Sequence, residues 1–348
     1  MAATIRDANA SSAETGAPAN LLPDSIIWTP EIERLNRFVV GCLRMQLPGC
    51  AIAGGQRFGK TFALKFLAQL LAATYGHAIA TVQWTIHAAG QRATTDKEFL
   101  QERLYETAPV AVNSAPAVLA RRLINALVDL AAAAGSGHII IMVDEAQNLD
   151  RAAYAHLIYI FNSLERANVR PFFLLVGQPE LRDAPLIWRK DKAYQVVGRF
   201  FNQMYVFRGI DLGELEEVLD GFDEPLYENG PRVSASLLPH LEGQWSFGQW
   251  APLFRETMAH IAAAHKLEGT ITFPMQYLRS SLLNLMDHVC RSRIDPRLVQ
   301  PVMVFRAVRN SGFMSALAYC VEQRDLQREE QPLFEDLGAA DAAQGGAK

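Results

Sequence analysis

"AGGQRFGKTFAL", residues 53–64, sets three glycines, then Lys60 and Thr61, between two apolar stretches. Gly54, Gly59, Lys60 and Thr61 satisfy G-x-x-x-x-G-K-[ST]. In that spacing the glycines let backbone amides curl round phosphate oxygens, and a helix starting near Lys60 points its positive end at them. The run Gly54, Gly55, Gln56, Arg57, Phe58, Gly59, Lys60, Thr61, Phe62 is therefore a candidate nucleotide cradle. Lys60 would reach the β and γ phosphates of ATP, and the Thr61 hydroxyl would ligate Mg2+. The competing reading, a glycine-rich turn with an accidental lysine, is weakened by context, because the motif demands a strand before it and a helix after it.

Both are predicted. "GCAIAGG" reads as a short buried strand, "KTFALKFLAQLLAATYG" as a helix closed by Gly76, and "HAIATVQWTI" as a second strand. Upstream, "TPEIERLNRFVVGCLRM" has helical apolar spacing, with Thr29 as N-cap and Pro30 in the first turn. Downstream come helices at about 95–106 and 115–134, then "HIIIMVDEAQ", the continuous apolar run of a parallel strand covered on both faces. "AAYAHLIYIFNSLER" is a helix, "RPFFLLVGQPEL" a strand leaving into a loop, and "QMYVFRGI" a final strand. This alternation predicts an α/β fold with a parallel five-stranded sheet flanked by helices. The remainder reads as helical throughout, with segments at 212–221, 234–242, 250–266, 274–291 and 297–322. The expected organisation is a flexible tail over 1–25, an α/β nucleotide-binding core over 26–210, a helical lid and helical region over 211–322, and a flexible acidic tail over 323–348.

Composition excludes little. Half of the 348 residues are apolar, enough for a sizeable core, and 33 Lys and Arg against 37 acids give a net charge of -4, with no overall pull toward nucleic acid. Cys42, Cys50, Cys290 and Cys320 lack zinc-site spacing, Met1 begins no charged leader with an apolar run, and no apolar stretch reaches the roughly 18 to 20 residues of a membrane helix. The expectation is a reduced, cytoplasmic chain with no membrane partner.

Asp144 and Glu145 close the run "IIIMV", at the carboxyl edge where parallel sheets bind ligands. Asp144 would hold magnesium, and Glu145 would polarise the attacking water. The alternative for such an acid pair is a helix N-terminal cap; the presence of Lys60 favours the catalytic reading. Gln178 ends the next apolar strand, where its amide could sense the γ phosphate or merely cap its own turn before Pro179. Arg199, just before the last strand, could complete a neighbouring subunit's site or form a surface salt bridge.

Together, "GGQRFGKT", "IIIMVDEAQ", "FFLLVGQPEL" and "GRF", followed by a helical lid, resemble the AAA+ P-loop ATPases over about residues 26–270. Within them, "DEAQ" and "VGQPEL" look most like the transposition regulators of the TnsC, TniB and MuB group, with ExeA-type secretion ATPases as nearest relatives. The resemblance implies an ATPase that oligomerises on double-stranded DNA with ATP, as a ring or a helical filament with hexameric or heptameric turns. It would mark a target site and recruit and activate a transposase of the TnsB or TniA kind, with a target adaptor of the TniQ or TnsD kind. By the same resemblance the phosphate-loop lysine and threonine correspond to Lys60 and Thr61, the Walker B carboxylates to Asp144 and Glu145, sensor 1 to Gln178 and the arginine finger to Arg199.

The resemblance departs in the lid, where relatives often carry an arginine and "EGQWSFGQWAPLFRE" offers Gln249, with the nearest arginine at Arg255. That leaves lid sensing and the hydrolysis rate open, and with them a scaffold that binds ATP but barely turns it over. An ExeA-like reading expects a membrane helix and a wall-binding domain, which these 348 residues do not contain. In ring-forming relatives the channel is lined by loops after the second strand, which here include Arg92, Lys97 and Arg103. A second candidate DNA surface is the basic stretch with Arg279, Arg291, Arg293, Arg297, Arg306 and Arg309, which could equally be a solvated face or a seat for the acidic tail.

Overall fold

The computed structural model describes residues 27–75, 78–88, 94–110, 113–225, 230–238, 241, 244–267 and 271–317. Gly76, Arg92 and the two tails lie outside the described residues, as does the stretch 318–322. The described residues form two compact units, Trp28–Arg208 and a second made of Ile27 with the residues from Gly209 onward.

The first unit begins with α1 (Pro30–Arg44), β1 (Gly49–Gly54), α2 (Lys60–Thr74) and β2 (Ile79–Thr85). It continues with α3 (Asp96–Thr107), α4 (Pro116–Ala134), β3 (His138–Asp144) and α5 (Arg151–Arg166), then β4 (Arg170–Gly177), α6 (Ala184–Lys190), α7 (Tyr194–Phe200) and β5 (Met204–Phe207). All five strands pair in parallel in the order β2-β3-β4-β1-β5. β1 is buried along its whole length, and β3 and β4 at every position but their first, because helices cover both faces. Ala51, Ala53, Trp84, Ile139, Ile141, Val143, Phe173 and Leu175 share one core with the apolar sides of α3, α4, α5 and α7. The residues of opposite parity, Cys50, Ile52, Ile140, Met142, Phe172 and Leu174, are buried on the other face, where α1 packs on β1 and β5.

α1 starts as its sequence predicts, with the Thr29 hydroxyl accepting from the Ile32 amide at 3.2 Å and proline at the first position. Its Glu31 is 1% exposed and ties the helix to the end of β5. The carboxylate accepts from the Tyr205 hydroxyl at 3.0 Å, the Arg208 amide at 2.8 Å and Arg34 Nε at 2.9 Å. Burial raises its pKa above the ordinary carboxylate range, and these donors oppose the rise. Glu31→Ala strands buried donors, so chemical denaturation should report a loss of about 2–3 kcal/mol, with Glu31→Gln losing less. A loss within experimental error for Glu31→Ala would show that the carboxylate ties nothing down.

The second unit contains β6 (Ile210–Asp211), α8 (Leu215–Phe222), α9 (Val233–Leu237), α10 (Ala251–Ala264), β7 (Thr272–Phe273), α11 (Met275–Ser292) and α12 (Pro301–Asn310). Its core is aromatic, with Trp245, Phe247, Trp250, Phe254, Phe273 and Phe313 all nearly sealed. Two expectations need correction. "QMYVFRGI" is not one strand, because β5 ends at Phe207, and Ile210 and Asp211 pair antiparallel with Phe273 and Thr272, so this unit is not wholly helical. The join needs glycine: a Cβ on Gly209 would lie 2.9 Å from the Phe273 carbonyl oxygen. The expected helix from 297 is broken as well. A 3-10 turn spans Pro296–Leu298, and Pro301, lacking an amide hydrogen, starts α12 afresh.

Candidate nucleotide site

β1 delivers the chain to the loop at Gly54, where a Cβ would lie 2.6 Å from the Phe207 carbonyl oxygen of β5. Arg57 and Gly59 take left-handed backbone, with φ 64° and 101°, which turns the loop back on itself before α2 starts at Lys60. Glycine adopts such angles at little cost, whereas Arg57 stores strain in the loop. Gln56, Arg57 and Phe62 are exposed and Phe58 is buried beneath the loop. Lys60 is only 8% exposed, and its Nζ donates to the carbonyls of Gly54 and Gly55 at 2.6 and 2.7 Å. Burial pushes its pKa down to about 8, against the upward pull of Glu145, Asp144 and Glu180.

β3 brings the two acids to the same place. The Thr61 hydroxyl donates to Asp144 Oδ2 at 2.8 Å, and the Glu145 amide donates to Oδ1 at 2.9 Å. Asp144 is 3% exposed and burial raises its pKa. A threonine hydroxyl touching a buried carboxylate is a pair of hard oxygen donors, the kind magnesium takes. Among the described residues no group of three or more His, Cys, Asp or Glu could hold a metal. Two protein oxygen donors fit an ion that also binds phosphate oxygens: Thr61 and Asp144 would hold it, and it would neutralise phosphate charge.

Glu145 sits at φ 56°, an uncommon left-handed position for a non-glycine residue that redirects its side chain at the strand's end. Its Oε2 accepts from Gln147 Nε2 at 2.6 Å and Gln178 Nε2 at 3.3 Å. Gln178 Oε1 accepts from Gln56 Nε2 at 2.8 Å, and the Gln178 backbone amide donates to Gln147 Oε1 at 3.0 Å. A hydrogen-bonded chain Gln56–Gln178–Glu145–Gln147 thus links the loop to the ends of β3 and β4. Gln147 lies within the quoted "DEAQ", yet nothing in sequence spacing gave its amide a role. Gly177 carries no signal in the sequence either, although a Cβ there would meet Gln147 Oε1 at 2.7 Å.

Arg199 is not part of this cluster. Its own carbonyl oxygen lies 2.6 Å from where a Cβ on Gly49 would sit, at the start of β1, whereas the loop follows the strand's end. Its guanidinium donates to Asn162 Oδ1 at 3.0 Å and lies 5.3 Å from the Phe161 ring centre. Of the expected channel cations, Lys97 is half-buried in the first turn of α3. Arg103 requires correction as a DNA contact, since it is 1% exposed. It donates to the Thr85 carbonyl at 2.9 Å and pairs with Glu102 and Glu106 at 3.0 and 2.8 Å, so no phosphate can reach it.

A polyanion beside Lys60 favours its charged form, so above pH 8 nucleotide binding must take up a proton. Affinity for a fluorescent ATP analogue should be level below about pH 8 and then fall toward tenfold per pH unit. A flat profile from about pH 6.5 to about 9.5 would mean that Lys60 is already charged before nucleotide arrives or does not meet phosphate.

Residues 48–184 match the family model described as an AAA domain. The Aeropyrum pernix ORC2 protein, solved as ADPNP–ADP complexes, superposes with a TM-score of 0.56 at 15% identity, covering 84% of this chain and 70% of that one. The Walker-type ATPase PABY2304 of Pyrococcus abyssi reaches 0.49 at 14% identity, covering 90% and 81%. Cdc6p from Pyrobaculum aerophilum also reaches 0.49 at 14%, covering 80% and 65%. No curated protein matches significantly. The fold is that of an AAA+ P-loop NTPase. No helix among the described residues is long and apolar enough to cross a membrane.

Proposed function

We propose that this chain binds and hydrolyses ATP with Mg2+ and uses the nucleotide to assemble on double-stranded DNA as a transposition regulator that recruits a transposase. The observation that carries the ATPase reading is the convergence of Lys60, Thr61, Asp144, Glu145 and Gln178 at the ends of three adjacent strands, with Thr61 and Asp144 2.8 Å apart. In this reading Lys60 leaves the loop carbonyls for the β and γ phosphates. Glu145 takes a proton from the attacking water at its carboxylate, and Gln178 orients that water or the γ phosphate. Arg199 stands at the far end of β1 from its own loop, which supports a role in a neighbouring copy's site. There it would leave Asn162 to meet the developing charge.

The transposition role rests on the likeness of "DEAQ" and "VGQPEL" to the TnsC, TniB and MuB group. The AAA+ fold and the similarity to an ORC2 protein agree with it at the level of fold. Negative-stain microscopy with plasmid DNA tests it: ATP should give regular oligomers on the duplex and ADP should not. A protein that stays monomeric with every nucleotide and DNA offered overturns the reading.

A further inference from the structure

The outward side of α12 carries an arrangement that the nucleotide site does not use. Val302, Phe305, Arg306 and Arg309 are exposed and fall within about 100° of one another on a 3.6-residue helix, while Val304, Ala307 and Val308 face the core. Leu298, 64% exposed, stands on the preceding 3-10 turn beside exposed Arg297. The nearby carboxylates are already engaged: Asp287 pairs with Arg291 at 2.7 Å, and Asp295 accepts from the Arg297 amide at 2.9 Å. Arg297, Arg306 and Arg309 have no carboxylate partner among the described residues. Three apolar side chains interleaved with three unpaired guanidinium groups suit a peptide that is both acidic and apolar. A phosphate backbone matches the charges but leaves Leu298, Val302 and Phe305 without apolar contact.

The chain supplies such a peptide. Residues 329–341, "EEQPLFEDLGAAD", hold five acids and no base, and Leu333, Phe334 and Leu337 alternate with Glu335 and Asp336. The 15 residues between 318 and 333 reach up to about 50 Å, against about 15 Å for the length of α12. A tether of this kind gives a local concentration on the order of millimolar, so a weak contact suffices. We propose that segment 333–337 docks on the Leu298–Arg309 face, with Phe334 and Leu337 against Val302 and Phe305, and Glu335 and Asp336 against Arg306 and Arg309.

A photoreactive benzoylphenylalanine replacing Phe334 in the full chain tests this by mass spectrometry of its cross-links. They should fall on residues 298–309, drop about tenfold in Arg306→Glu/Arg309→Glu, and return when Glu335→Lys/Asp336→Lys is added. Arg306 and Arg309 are exposed, and circular dichroism checks that each variant is folded. Cross-links elsewhere, or a yield indifferent to the charge reversal, overturn the proposal. If the reversal weakens binding to a duplex while the cross-link stays, the face belongs to DNA.

Discussion

Lys60→Ala is expected to lower ATP turnover by about two to three orders of magnitude, the scale seen when a single positioned donor to developing charge is removed. The same change should abolish the thermal stabilisation that ATP is expected to give the wild type. Loss of activity through unfolding is not the expected route, for an electrostatic reason. The folded-state pKa of Lys60 is about 8, below its ordinary 10.5, so below pH 8 the folded protein bears the full cost of a buried ammonium. That cost is about 3 kcal/mol and disappears as pH rises from 8 through 10.5, where the unfolded chain holds more protons than the folded one. The carbonyls of Gly54 and Gly55, which accept from Nζ, give part of it back. Lys60→Met, which keeps the apolar stem, should therefore melt no lower than wild type at pH 7 while failing to hydrolyse ATP. Calorimetry and phosphate release on the same sample decide it. A variant that melts well below wild type shows the lysine to be chiefly structural, and one that retains turnover removes it from the site.

That such a variant can be named from sequence reflects how local the loop's signal is. Three glycines, a lysine and a threonine within a dozen residues specify a turn, and β1, β3 and β4 announce themselves because sheets covered on both faces need unbroken apolar runs. Thr61 and Asp144, 83 residues apart, were legible as partners only through the chemistry that both serve. Arg103 entered the channel reading only by analogy with ring-forming relatives, and the structure instead pairs it with Glu102 and Glu106. Its burial comes from packing α3 against β2, which no single helix reveals. β6 and β7 pair over two residues each, too few for a periodic signal, and the apolar spacing after Pro296 runs on past Pro301 although the backbone cannot. The amide chain through Gln147 depends on the left-handed turn at Glu145 and the missing side chain at Gly177, neither of which spacing encodes.

That amide chain makes Glu145→Gln the sharper test of mechanism. The substitution keeps shape and length, leaves a carbonyl oxygen to accept from Gln147 and Gln178, and faces the same left-handed backbone, so the fold has little reason to change. It removes the proton acceptor alone. Single-turnover hydrolysis should fall by about 10² to 10⁴, the usual contribution of a positioned base, while nucleotide affinity stays within about threefold of wild type. Lys60→Ala should lose both, and this contrast separates a group that binds phosphate from one that acts on water. On the proposed function, the Glu145→Gln protein stalled with ATP should also remain on DNA after excess ATP is chased away, while wild-type protein should disperse. A fall in hydrolysis of less than about threefold would reduce Glu145 to a residue that shapes the turn after β3. The strain at its backbone would then need another explanation.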